Sequence, residues 1–88
     1  MSLFTIERFI VVEEKDLAKV IEVCNRHRTS TRYYIGECEK KTGKAKWVLE
    51  FFASNREWKL ITKDLVSIGT LSIRMSPNGT TNLYFDRA

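Results

Sequence analysis

The stretch from Lys46 to Gly69 constrains the fold more than any other: a strand-like run, Trp47-Val48-Leu49-Glu50-Phe51-Phe52-Ala53, stops at Ser54 and a helical pattern begins. Ser54-Asn55-Arg56-Glu57 has the form of a capping box, in which the serine oxygen accepts from a free backbone N–H and the glutamate reaches back to the cap. Trp58, Ile61, Leu65 and Ile68 recur at the three-and-four spacing of one helical face. Gly69 is expected to end that helix in the left-handed conformation of a C-cap. The rest of the chain is expected to pack against this strand and helix.

Before it, Leu3 to Val12 is apolar and β-branched enough for a strand, and its continuous apolar end predicts a central position covered on both faces. Glu13, Glu14 and Asp16 gather where a helix would start, which suits the positive end of its dipole. The helix is expected from about Lys15 to His27, with Leu17, Val20, Ile21 and Cys24 as its inner stripe. Arg26, His27 and Arg28 sit at its negative end.

Thr31 to Glu39 reads as a second strand and Lys41-Thr42-Gly43-Lys44 as the turn into the third. A two-residue loop at Thr42-Gly43 makes opposite positions sum to 85, so that Glu39 faces Lys46, Cys38 faces Trp47, Tyr34 faces Phe51 and Tyr33 faces Phe52. That register puts Tyr34, Gly36, Cys38, Trp47, Leu49 and Phe51 on the core side. Tyr33, Ile35, Glu37, Val48, Glu50 and Phe52 then lie on the other side.

After the second helix, Leu71, Ile73 and Met75 alternate with Ser72 and Arg74, Ser76-Pro77-Asn78-Gly79 has the chemistry of a type I turn, and Thr80 to Asp86 forms a last strand. The fold class expected is α+β, a single small sandwich of β-α-β-β-α-β-β order over residues 1–88. It would have a mainly antiparallel sheet with both helices on one face, related to the ferredoxin-like arrangement and extended by a C-terminal hairpin.

A chain of 88 residues buries roughly 60–65% of its unfolded surface, enough for one core and too little for an enclosed cleft. No window approaches the roughly 20 apolar residues of a membrane span, and the N-terminus lacks a basic segment followed by an apolar one, so the expected location is cytoplasmic without membrane contact. Cys24 and Cys38 have neither metal-like nor redox-like spacing and are expected as reduced thiols.

Catalysis has little support. His27 is the only histidine and lies between Arg26 and Arg28, which oppose its protonation, and Glu13 and Glu14 are accounted for by the helix start. No phosphate loop, nucleophile elbow or metal-ligand spacing occurs, so neither an enzyme nor a cofactor or metal is expected.

The net charge of +4 is uneven. Residues 1–25 carry three basic and five acidic side chains (−2), residues 26–46 seven and two (+5), and residues 47–88 five and four (+1). Arg26, Arg28, Arg32, Lys40, Lys41, Lys44 and Lys46 make up the basic middle, which would attract a polyanion. The same residues have a plainer reading, because arginines complement a helix C-terminus and lysines keep a hairpin tip soluble. In the register above, Tyr33 and Phe52 share an open face with Ile35 and Val48, a surface suited to stacking bases or to a protein interface. Lys44 to Phe52 lacks the glycine and aromatic spacing of an RNA-recognition motif.

The run Asp64-Leu65-Val66-Ser67-Ile68-Gly69, then Leu71-Ser72-Ile73-Arg74, Asn78-Gly79 and Leu83-Tyr84-Phe85-Asp86-Arg87, resembles the end of the C-terminal domain of the MotA-type middle-promoter activators of T-even phages. The element order is similar over nearly the full chain. The resemblance implies a phage-encoded, regulatory "double wing" domain that lays its sheet on DNA, with Arg32, Tyr34, Lys44, Lys46, Arg74 and Arg87 as contacts from the wings.

Two functions are therefore carried forward. The first is a non-catalytic nucleic-acid-binding domain, DNA ahead of RNA, using Arg28, Arg32, Tyr33, Tyr34, Lys40, Lys41, Lys44, Lys46, Phe52, Arg74 and Arg87. The second is a protein-binding inhibitor or adaptor that presents the open face or an edge strand, as a monomer or a homodimer.

Overall fold

The computed structural model describes residues 4–27, 29–38, 43, 45–75, 79 and 81–88. The elements are β1 (Ile6–Glu13), α1 (Glu14–Arg26), β2 (Thr31–Cys38), β3 (Ala45–Ala53), α2 (Asn55–Ile68), β4 (Gly69–Met75) and β5 (Thr81–Arg87). This is the α+β order expected, in one five-stranded sheet arranged β2-β3-β1-β5-β4. β1 is antiparallel to β3, β3 to β2 and β4 to β5, while β1 and β5 run parallel.

The arrangement departs from the ferredoxin-like one at a single place. There, the strand after the second helix lies beside the first strand; here β4 is at the edge and β5 occupies the position next to β1. The C-terminal hairpin is inserted into the sheet rather than added to its rim.

Both helices pack on one face. Ile10 and Val12 of β1, Leu49, Phe51 and Ala53 of β3 and Phe85 of β5 meet Val20, Val23 and Cys24 of α1 and Ile61 and Leu65 of α2 in one buried cluster. Each large aliphatic or aromatic side chain so buried contributes about 1.5–3 kcal/mol. Leu17, Ile21, Trp58 and Ile68 lie partly buried around it, so the predicted helix stripes hold, with Val23 added. β1 is central as expected but is covered by helices on one face only.

Helix α2 begins as its sequence dictates. Ser54 Oγ accepts from the Glu57 N–H at 3.2 Å, and Glu57 Oε1 accepts from the Ser54 N–H at 2.8 Å. Its end differs from expectation: Gly69 has φ −173° and ψ −156°, extended rather than left-handed backbone. Glycine is needed there for space, because a Cβ would come within 2.4 Å of the Asp86 carbonyl oxygen and 2.7 Å of the Phe85 ring.

The β2–β3 register also differs. Tyr33 pairs with Leu49 and Tyr34 with Val48, so opposite positions sum to 82 rather than 85. Beyond a bulge at Gly36 the pairs are Glu37 with Lys46 and Cys38 with Ala45, which leaves six residues between the strands and not two. At the bulge a Cβ on Gly36 would lie 2.6 Å from Val48 Cγ2, which favours glycine. The face assignment of β3 holds, and that of β2 before the bulge is inverted. The turn residues Thr42 and Ser76 to Asn78 lie outside the described residues.

The uncovered sheet face as a candidate interface

Strand alternation leaves one face of the sheet without a helix among the described residues. Its middle row reads Tyr34, Val48, Val11, Tyr84 and Ser72, one residue from each strand in sheet order. On the row beside it, Arg32, Glu50 and Phe9 are continued by Asn82 and Arg74 on the other half of the sheet. Phe52, paired with Glu7, stands at the border. Phe9, Tyr34 and Phe52 are exposed, while Val11 and Tyr84 are buried by their neighbours.

Each described cation on this face has an acidic partner. Arg32 meets Glu50 at 3.1 Å, Lys46 meets Glu13 at 3.6 Å, and Arg74 is bonded to Asp86. Arg74 also lies 4.8 Å over the Tyr84 ring and donates through Nε to Ser72 Oγ at 3.1 Å, which holds its guanidinium against the sheet. Arg32 and Arg74 stand on opposite edge strands, four strand spacings of about 4.8 Å or roughly 19 Å apart. Among the described side chains of this face, Arg32, Lys46 and Arg74 stand against Glu7, Glu13, Glu50 and Asp86, or 3 − 4 = −1.

Of the residues expected to bind, Arg32, Tyr34, Lys46, Phe52 and Arg74 share this face. Tyr33 does not: opposite Leu49 it lies on the helix side, its ring tilted against Trp47 at 5.9 Å, and it is 54% exposed only because it stands on the edge strand. Arg87 alternates with Asp86 onto the helix side at the end of β5. Arg28, Lys40, Lys41 and Lys44 lie outside the described residues. The tyrosine–phenylalanine pair read from sequence is thus replaced by Tyr34, Phe9 and Phe52.

Phe9 and Tyr84 join this face without being expected there from the sequence. The signal for Phe9 was present, since it alternates with Arg8 and Ile10 in a strand, but which parity faces out depends on pairing with β3. Tyr84 could be placed only by knowing that β5 lies beside β1.

His27 has a structural role that its flanking arginines concealed. Its Nε2 lies 2.7 Å from Asp64 Oδ2, joined by Arg26 at 3.3 Å, tying the end of α1 to α2. The hydrogen bond from His27 is the largest influence holding the Asp64 carboxyl below its ordinary value. Cys24 is free and buried, and burial pushes its thiol up to about 12. Among the described residues no group of His, Cys, Asp or Glu could hold a metal ion, and no helix is long and apolar enough to cross a membrane.

No family model, no curated protein and no solved structure matches this chain.

Proposed function

We propose that this domain is a small, non-catalytic nucleic-acid-binding module that lays its uncovered sheet face on DNA. The observation that carries the reading is the set of rings on that face, Tyr34, Phe9 and Phe52, between arginines on both edge strands. Exposed ion pairs are worth only about 0–1 kcal/mol, so Arg32 and Arg74 can exchange a carboxylate for a phosphate at little cost. The +5 segment 26–46 includes β2, and its Arg32 and Lys46 lie on the uncovered face. A regulatory role on a phage genome rests on the MotA-type resemblance alone.

The test is a titration of duplex and single-stranded DNA at two salt concentrations. Affinity should fall steeply with salt, and Arg32→Ala with Arg74→Ala should lower the slope by about 0.9 per lost duplex phosphate contact. No affinity at low salt, or an affinity indifferent to salt, rejects the reading.

A second reading has its own observation, the −1 balance of the described side chains of the face, with each described cation internally paired. Rings, valines and compensated arginines also suit the core of a protein interface, as an inhibitor or adaptor would present. A partner captured from nuclease-treated lysate, and lost in Tyr34→Ala or Phe52→Ala, would favour it.

A further inference from the structure

β1 and β5 are paired only at Val11–Tyr84 and Val12–Phe85, although β1 begins at Ile6 and β5 at Thr81. Toward these amino-terminal ends the strands part, and the fork opens into a groove of about 480 Å³ walled by Phe9, Trp58, Thr62, Leu71 and Leu83. This is within the roughly 300–1,000 Å³ of small-molecule sites, which combine apolar walls with a few fixed polar groups.

Arg8 supplies the fixed polar group. Its guanidinium lies 5.0 Å over the Trp58 ring and donates through Nη2 to Asn55 Oδ1 at 2.8 Å. Its Nε is buried and has no acceptor among the described residues. Stacking and the Asn55 bond thus orient the group before anything binds, while one buried N–H is left without the partner that such groups almost always have. An anion is the acceptor that a guanidinium N–H bonds best. Glu7 also borders the groove, but it alternates onto the uncovered side of β1, away from Arg8.

We propose that this fork binds a small amphipathic carboxylate, an aromatic or branched aliphatic acid, with its carboxylate on the Arg8 guanidinium and its apolar body along Trp58, Leu71 and Leu83. The site is built against α2 and shares only Phe9 with the rings of the nucleic-acid reading, so its test does not depend on DNA binding.

The test uses naphthoate and its uncharged analogue naphthylmethanol, followed by NMR at the Arg8 Nε–H and the Trp58 indole N–H. Naphthoate should shift both signals saturably, and the alcohol should bind at least about tenfold more weakly, the worth of a charge-assisted hydrogen bond. Arg8→Gln should erase that preference. Thr62→Phe, which fills the groove and leaves Arg8 in place, should block both probes and keeps the test decisive if Arg8→Gln does not fold. Equal binding of acid and alcohol, saturable shifts confined to residues outside the groove, or no saturable shift up to the solubility limit would overturn the proposal.

Discussion

Val11 and Tyr84 face each other across the only paired stretch of β1 and β5, and both are buried although no helix covers them. The cover comes from the face itself, since Arg74 lies over the Tyr84 ring and is anchored by Asp86. Arg74→Ala should therefore cost about 0.5–2 kcal/mol, the sum of an exposed cation–π contact and a surface ion pair. Urea unfolding checks the cost; unchanged stability would mean that the arginine does not lie against the ring in solution.

Gly69 separates two explanations of why a helix ends at glycine. Because its backbone is extended and its neighbours are a carbonyl and a ring, Gly69→Ala should destabilise by about 1–3 kcal/mol through overpacking. Asn, which rescues left-handed caps, should do no better than Ala. Thermal melts of the two variants make the comparison.

The His27–Asp64 contact sets an acid limit on the α1–α2 junction. Asp64 titrates below its ordinary value of 3.8, chiefly because of the His27 hydrogen bond, so the unfolded chain takes up this proton first as pH falls. The stabilisation is present above 3.8 and is lost as pH drops through the folded-state value. Asp64→Asn should be less stable than the parent at neutral pH, with the gap closing in acid. A gap that stays constant down to the acid limb would remove the assignment.

Cys24, with its thiol pushed up to about 12, should resist alkylation in the folded protein near neutral pH, because the thiolate is the reactive form. Peptide mapping after iodoacetamide treatment should find Cys24 modified only when denaturant opens the core. Labelling at native rates would contradict its burial.

Ser54→Ala removes one half of the capping box and leaves the Glu57 N–H without its acceptor. A loss of about 0.5–2 kcal/mol is expected, which for a domain of this size lowers Tm by several degrees.

The features legible in the sequence were the local ones. Ser54 with Glu57 marked the start of α2 because a cap is written within four residues, and the stripe of Ile61 and Leu65 follows helical period alone. Element order and the one-faced placement of the helices followed from the same signals. Register was harder, because Tyr34 changes partner from Phe51 to Val48 with loop length and a bulge, and an odd shift turns every β2 side chain before the bulge to the other face. The contacts that shape the sites join distant residues: Arg8 with Trp58, His27 with Asp64 and Val11 with Tyr84 leave no trace in spacing. Gly69 marks a boundary in sequence and structure alike, but the structure needs it for space and not for a left-handed turn.

The short parallel junction between the first and last strands has a mechanical consequence. Two antiparallel ribbons, β2-β3-β1 and β5-β4, are stitched together by two residue pairs instead of a full ladder. Their mutual twist is thereby expected to be softer than the twist within either ribbon, with Val11 and Val12 as the hinge.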